Sequence, residues 1–277
     1  MLIADCHMHT PLCGHAQGLP EEYVRQAARA GLRTVTFTCH IPMRDPAFGG
    51  KRIRMPLAKL GTYRDEVQRA AQAGRALGVE VLRGIEAEYF PEEAALEEMD
   101  QVLRDYEWDF VLGSLHHQLP VYREWLVKQG LRDDEAIVDT YFRHLARAAA
   151  SGRYDSMSHP DVIRSYGTVA SFEPERHEGV IRAFLEAARA AGVCIELNTS
   201  GLIKEAYEIH PDPVILAWAR ETGCGVTVGS DAHRPEQVGQ HFDIAHEHLT
   251  RIGFEEVYCF RGRKAEALPL EEQPART

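Results

Sequence analysis

Short apolar runs in this sequence end, again and again, in a histidine or a carboxylate. Leu2-Ile3-Ala4 leads into Asp5-Cys6-His7-Met8-His9, Thr34-Val35-Thr36-Phe37-Thr38 into Cys39-His40, and the run 79–85 into Glu86. Phe110-Val111-Leu112 leads toward His116, Ser156-Met157-Ser158 into His159, and Val226-Thr227-Val228 toward Asp231 and His233. These runs read as short buried strands. Ligand-type side chains at the ends of successive strands meet at one place when the strands wrap into a barrel. Imidazoles and carboxylates gathered at one mouth make a multinuclear site for divalent ions, which confines the chemistry to a few reactions.

Helical patterns separate the runs: 20–30 closed by Gly31, 57–77 closed by Gly78, 92–106, 134–150 closed by Gly152, 174–191 closed by Gly192, and 213–222 closed by Gly223. Proline near a start and glycine just past an end are helix boundary signals. Strand and helix alternating about seven times, with right-handed crossovers, predict an α/β fold built on a parallel barrel. A doubly wound open sheet is the alternative, but it would gather ligands at one switch point and not at nearly every strand end. The run Glu256-Val257-Tyr258-Cys259-Phe260 is either an eighth strand or the closure of an irregular barrel. With 277 residues, 44% of them hydrophobic, and no linker or repeat, the chain reads as one domain over 1–263 with a loose tail at 264–277.

A net charge of −11 argues against nucleic acid or anionic membranes as general partners. No apolar stretch approaches the roughly 20 residues of a membrane span, and Leu2-Ile3-Ala4 is followed at once by polar residues, so a cytoplasmic protein is expected. The six cysteines occur singly, with no C-x-x-C pair. Cys6 and Cys39 neighbour histidines on strands, so their thiols should face the core while the imidazoles face the site. Cys13 shares a loop with His15 and is the cysteine nearest to a ligand role.

The pair His7 and His9 shares one strand face and suits chelation of one ion. Alone it would equally describe polar residues at a strand end. The argument rests on His7, His9, His15, His40, Glu86, His116, His159, Asp231 and His233 all falling at strand ends or in the loops that follow. His144, His177, His241, His246 and His248 lie in helical stretches and read as structural, as does His210 before Pro211. Asp5 reads as a supporting acceptor. Glu86 and Glu88 share a face; Glu86 is the candidate bridging ligand, and Glu88 is assigned to a cationic part of the substrate. His117 either faces away from the metals or lies over the substrate.

These motifs resemble the polymerase and histidinol phosphatase (PHP) superfamily of metal-dependent phosphoesterases: D-x-H-x-H-T at Asp5 to Thr10, His15, His40, G-I-E at Gly84 to Glu86, G-S-x-H at Gly113 to His116, His159-Pro160-Asp161, and S-D-A-H at Ser230 to His233. The stretches Glu196-Leu197-Asn198-Thr199-Ser200-Gly201 and Val257-Tyr258-Cys259-Phe260-Arg261-Gly262-Arg263 are similar to its monofunctional histidinol-phosphate phosphatase branch. The resemblance covers nearly the whole chain. It implies a distorted seven-stranded (β/α) TIM-like barrel with two to three divalent ions of zinc, iron or manganese. It assigns His7, His9, Glu86 and Asp231 to one ion, Glu86, His116 and His159 to a second, and His15, His40 and His233 to a third. Glu88 stands where an aspartate is expected, which makes substrate contacts less determined than metals.

The implied reaction is hydrolysis of L-histidinol phosphate in histidine biosynthesis, by direct attack of a metal-bridging hydroxide and without a covalent phosphoenzyme. Asp161 and Arg164 are the candidate catalytic groups, the first to protonate the leaving alkoxide or merely to orient His159. Glu88, His117, Arg164, Ser200 and Lys204 are the candidate substrate contacts. The competing readings are a PHP-type phosphoesterase for another small ester, nucleotide or DNA end, and a metal-stabilised module without catalysis. Oligomeric state is not encoded in any of these signals.

Overall fold

The structure is a computed structural model that describes residues 1–203 and 208–270. Seven parallel strands form one sheet in chain order: β1 (Ala4–Met8), β2 (Thr34–Phe37), β3 (Glu80–Glu88), β4 (Phe110–Ser114), β5 (Ser156–Met157), β6 (Cys194–Asn198) and β7 (Val226–Gly229). The two outer strands meet through the loop after β7, where His9 N donates to Ala232 O at 2.9 Å and Ala232 N to His7 O at 3.3 Å. The sheet is thus a nearly closed seven-stranded barrel, as the alternation of strand and helix predicts, and the open-sheet alternative is overturned.

Eight α-helices are described: α1 (Pro20–Arg29), α2 (Leu60–Leu77), α3 (Glu97–Asp105), α4 (Pro120–Lys128), α5 (Asp134–Ala150), α6 (Glu178–Ala191), α7 (Pro213–Thr222) and α8 (Phe242–Ile252). Gly78, Gly192 and Gly223 close α2, α6 and α7 in the left-handed conformation expected of them. The helix expected from residue 174 begins instead as a 3-10 turn, Pro174–His177. Helix α4 is additional to the expected set. Its Tyr122 and Leu126 are buried one turn apart, whereas Val127 is exposed, so its apolar residues do not keep to one face and the helical period is blurred.

The run after α8 is a strand, but it does not enter the barrel. β8 (Glu256–Arg261) pairs antiparallel with β9 (Lys264–Pro269) through the two-residue loop Gly262-Arg263, both of whose φ angles are positive as a type I′ turn requires. Residues 264–269 therefore form a strand where a loose tail was expected; 271–277 lie outside the described residues. This hairpin covers the N-terminal ends of the barrel strands. Phe260 stacks on Phe110 with ring centroids 5.2 Å apart, Arg263 pairs with Asp155 at 3.0 Å, and Arg261 Nε lies 3.0 Å from both oxygens of Glu80. With that end plugged, the C-terminal end is left for ligands. Among the described residues, no helix is long and apolar enough to cross a membrane.

Helix α2 also sets one strand end directly. Buried Tyr63 places its hydroxyl 2.8 Å from Phe37 O and 2.9 Å from Gly84 O, within reach of Cys39 N at 3.4 Å. The end of β2 is thereby anchored beside β3, and the pairing continues beyond β2 with Ile41 N donating to Glu86 O at 2.9 Å. His40 is delivered to Glu86 by this backbone pairing together with the Tyr63 anchor.

Candidate metal centre

All nine sequence-derived ligands converge at the C-terminal mouth. Glu86, near the end of β3, is 1% exposed and reaches five imidazoles: His40 Nδ1 at 2.7 Å, His116 Nε2 at 3.4 Å, His7 Nε2 and His159 Nε2 at 3.6 Å, and His9 Nε2 at 3.7 Å. His9 Nε2 lies 3.1 Å from Asp231 Oδ1 and 3.1 Å from His7 Nε2, and His15 Nε2 lies 2.7 Å from His233 Nε2. Two ligands sit on strained backbone: His159 has φ of 24° and Asp231 of 52°, conformations that non-glycine residues rarely adopt.

The donor set tests whether metal fits. Neither oxygen of buried Glu86 meets full hydrogen-bond geometry with any described residue. Imidazole nitrogens point at one another across 2.7–3.1 Å, an arrangement that a cation between or beside them would resolve. Burial alone would raise the Glu86 carboxyl, but His40, His116 and His7 hold it well below the usual range, so it stays ionised. Burial pushes His116 down, yet Glu88 and Glu86 outweigh it and lift it to about 9. Burial, with the neighbouring imidazoles, pushes His40 down to about 3 and His233 down to about 4, which leaves neutral rings beside ionised Glu86, a donor set that fits divalent ions.

Three groupings emerge by proximity: His7 with His9 and Asp231, His40 with Glu86 and His116, and His9 with His40 and His233. The first agrees with the expected set. His40 departs from it, because its pairing beyond β2 places it against Glu86 and not only beside His233.

Residues behind the cluster orient it. Glu196, fully buried on β6, accepts from His7 Nδ1 at 2.7 Å, from His159 N at 3.0 Å and from Asn198 Nδ2 at 2.9 Å. Its signal in the sequence is a carboxylate at mid-strand, which has no reason to be buried unless something opposite needs it. Glu88 plays the matching part for His116, accepting from Nδ1 at 2.7 Å and from the backbone N at 3.0 Å. Its outer oxygen also binds the guanidinium of Arg54, which is itself 2% exposed and donates to Phe48 O and Ile41 O. Such partners fix ring orientation and leave Nε2 for the metal. Asp5 accepts from Ser230 N, Ser230 Oγ and Gly239 N, and so holds the loop that carries Asp231, as expected of a supporting acceptor.

Several expected substrate contacts are placed otherwise. Glu88 cannot meet a cationic substrate group, since both oxygens are occupied in the core. His117 is buried, with Nδ1 2.6 Å from Thr168 Oγ1 and Nε2 2.9 Å from Val162 O, and ties two loops together. Ser200 donates to Asp231 Oδ2 at 3.0 Å. Asp161 is wholly buried: its oxygens take His210 Nδ1 at 2.6 Å and Asp212 N at 2.7 Å, and it pairs with Arg164 at 3.0 Å. Burial would raise its carboxyl, but His210 and Arg164 hold it below the usual range, which disfavours a proton donor. Arg164 further pairs with Glu208 at 2.7 Å and donates to Ile209 O, so its guanidinium is turned to the 208–212 segment. Lys204 lies outside the described residues.

A cavity of about 540 Å³ opens over the cluster. Besides ligands it is walled by Gln118, Tyr166, Arg234 and Gln237, with Ile53 and Ile203 as apolar patches. Arg234, directly after His233, is exposed and has no ion pair with any described residue, and it was not among the expected contacts.

Two substitutions separate support from contact. Glu196→Gln and Glu88→Gln should each lower metal affinity by about 10–100-fold with the barrel intact, read by metal content after dialysis against a graded chelator. Unchanged affinity in Glu88→Gln, with altered substrate preference, would return Glu88 to the substrate. Gly229→Ala probes the same spot sterically. A Cβ there falls inside contact distance of Glu196 Oε1 and 2.5 Å from His7 Cβ. The expected cost is about 1–3 kcal/mol of stability together with weakened metal binding, measured by thermal melts with and without metal.

A PHP domain model matches residues 5–200, and a PHP-associated model matches 215–245. The chain is 34% identical to a probable histidinol-phosphatase of Deinococcus radiodurans over 95% of this chain and 98% of that protein. It is 25% identical to the histidinol-phosphatase of Bacillus subtilis over 86% of this chain and 96% of that one. Among solved structures, a histidinol phosphate phosphatase of Lactococcus lactis, complexed with zinc, L-histidinol and phosphate, superposes with a TM-score of 0.77 at 21% identity. That match covers 95% of this chain and 98% of the other, and shows the shared fold.

Proposed function

The chain belongs to the PHP family, and from that membership we propose that it is a metal-dependent phosphomonoesterase that hydrolyses L-histidinol phosphate to L-histidinol and phosphate. The observation that carries the reading is the set of seven imidazoles and two carboxylates gathered at the floor of a cavity sized for a small ester, with His7, His9, His40, Glu86, His116 and His159 buried. The relative sharing 34% identity along almost the full length of both chains supports the substrate. Two to three ions of zinc, iron or manganese suit this oxygen and nitrogen donor set.

Clustered divalent ions lower the pKa of water toward about 7 and neutralise the charge that develops on the phosphoryl oxygens in an in-line displacement. The chain's own residues supply the geometry. Glu86 and Asp231 fix the negative floor, while Glu196 and Glu88 hold the His7 and His116 rings so that their Nε2 atoms face inward. Arg234 stands on the cavity wall, where a guanidinium fork matches two phosphate oxygens. Arg164 stays paired with Asp161 and Glu208 and holds the 208–212 segment at the mouth. Asp161 acts as a positioning residue, locking His210 and Asp212 behind the mouth. Six buried cysteines, all unpaired as disulfides, suit a reducing compartment such as the cytoplasm.

The test is phosphate release from histidinol phosphate, nucleoside monophosphates and an uncharged alkyl phosphate, with metal content measured on the same protein. Histidinol phosphate should give the highest kcat/KM, chelation should abolish turnover, and manganese, zinc or iron should restore it. Faster hydrolysis of the nucleotides would transfer the function to another small ester.

A further inference from the structure

Cys13 and Cys39 stand together against the back of the metal cluster. Cys13 lies in the loop after β1 and Cys39 at the end of β2, and both are fully buried. Thr10 holds Cys39 from two sides, its Oγ1 3.4 Å and its carbonyl oxygen 3.7 Å from the sulfur. The two sulfurs and a nitrogen of His9 all lie within 4.8 Å of one another. His9 directs Nε2 toward Asp231 at 3.1 Å. Its Nδ1 is buried and meets full hydrogen-bond geometry with none of the described residues, while the Cys13 thiol lies within hydrogen-bonding reach of the ring.

That nitrogen is out of keeping with its neighbours. His7 and His116 each have their second ring nitrogen fixed by a carboxylate, Glu196 and Glu88. A polar atom sealed in the core without such a partner is rare and calls for an explanation. Two thiols and an imidazole nitrogen are the donors of a soft tetrahedral site. With metal–sulfur bonds of about 2.3 Å and metal–nitrogen bonds of about 2.0–2.1 Å, the ligand atoms would stand roughly 3.5 Å apart, a separation the cluster already permits.

We propose that Cys13, Cys39 and His9 Nδ1 form a binding site for one soft d¹⁰ cation of the zinc or cadmium class, distinct from the histidine–carboxylate cluster and joined to it through the His9 ring. On binding, two S–H bonds break and their protons pass to solvent, the ring proton of His9 moves from Nδ1 to Nε2 as Nε2 leaves the cluster, and two metal–sulfur bonds and one metal–nitrogen bond form. Manganese, which prefers oxygen and nitrogen donors, leaves the site alone. Because His9 also faces Asp231, filling the site draws on a ligand of the catalytic cluster, so soft ions in excess inhibit a manganese-loaded enzyme. The site is independent of which ester the enzyme hydrolyses.

The test loads the full-length protein with manganese, removes the excess and titrates it with cadmium ion. One equivalent should produce a thiolate-to-cadmium charge-transfer band in the ultraviolet. Cys39→Ser and Cys13→Ser should each abolish that band, Cys194→Ser should retain it, and manganese-supported turnover should be unchanged in Cys39→Ser. Anomalous scattering from cadmium-treated crystals should place one peak between the two sulfurs and His9 Nδ1. Absence of the band in the wild-type protein, its survival in both variants, or an anomalous peak only at other thiols would overturn the site.

Discussion

Glu86→Gln is expected to lower kcat by on the order of 10³-fold and to release metal, with the barrel still folded. The argument is one of geometry. A single carboxylate, 1% exposed, stands within 2.7–3.6 Å of His40, His116, His7 and His159, and neither of its oxygens has a hydrogen bond of its own. It connects the His7 side of the mouth to the His116 side. Glutamine keeps the shape but removes the charge and turns an amide donor toward nitrogens and cations that need an acceptor. Metal analysis and turnover measured on the same preparation, with circular dichroism as the control for folding, check the result. Near wild-type turnover with full metal occupancy would mean that the ions are held without Glu86, and the proposed centre would fall.

Arg54→Met carries the largest expected cost in stability, about 3–5 kcal/mol. Arg54 is among the largest fully buried side chains, and its guanidinium is spent on Glu88 and on two carbonyl oxygens. Burial would raise the Glu88 carboxyl, but His116 and Arg54 keep it ionised. Removing the arginine therefore takes away one of the two cationic partners that compensate the buried Glu88 carboxylate and leaves the His116 ring to hold it. For a chain of this size the loss corresponds to roughly 10 °C in Tm. The double variant Arg54→Met with Glu88→Leu should recover part of that stability while losing metal affinity, because the buried carboxylate is gone but His116 is no longer held. A drop of less than about 2 °C in the single variant would contradict the role given to Arg54.

The predictions for Glu86 and Arg54 differ in how much of them the sequence carried. Glu86 was legible because its position depends on local rules: a strand ends, side chains alternate, and the residue at the end faces the mouth. The same holds for His7, His9, His40, His116 and His159, for the terminating glycines, and for the barrel implied by their recurrence. Arg54 was not legible. It lies in a segment without regular period, and its meaning comes from Glu88, 34 residues away, whose oxygens the sequence leaves open.

The sequence by itself determined which candidate ligands meet at the barrel mouth, since periodicity and strand order are written in neighbouring residues. Only the tertiary structure decided which carboxylate orients and which bridges, that Arg164 turns to Glu208 while Arg234 faces the cavity, and that β8 and β9 plug the far end of the barrel. Those outcomes depend on long-range pairings such as Glu196 with His7, 189 residues apart, and Asp161 with His210, 49 apart. A buried charge takes the partner that packing brings within reach, and that distance is fixed by the closed barrel, not by any pattern along the chain.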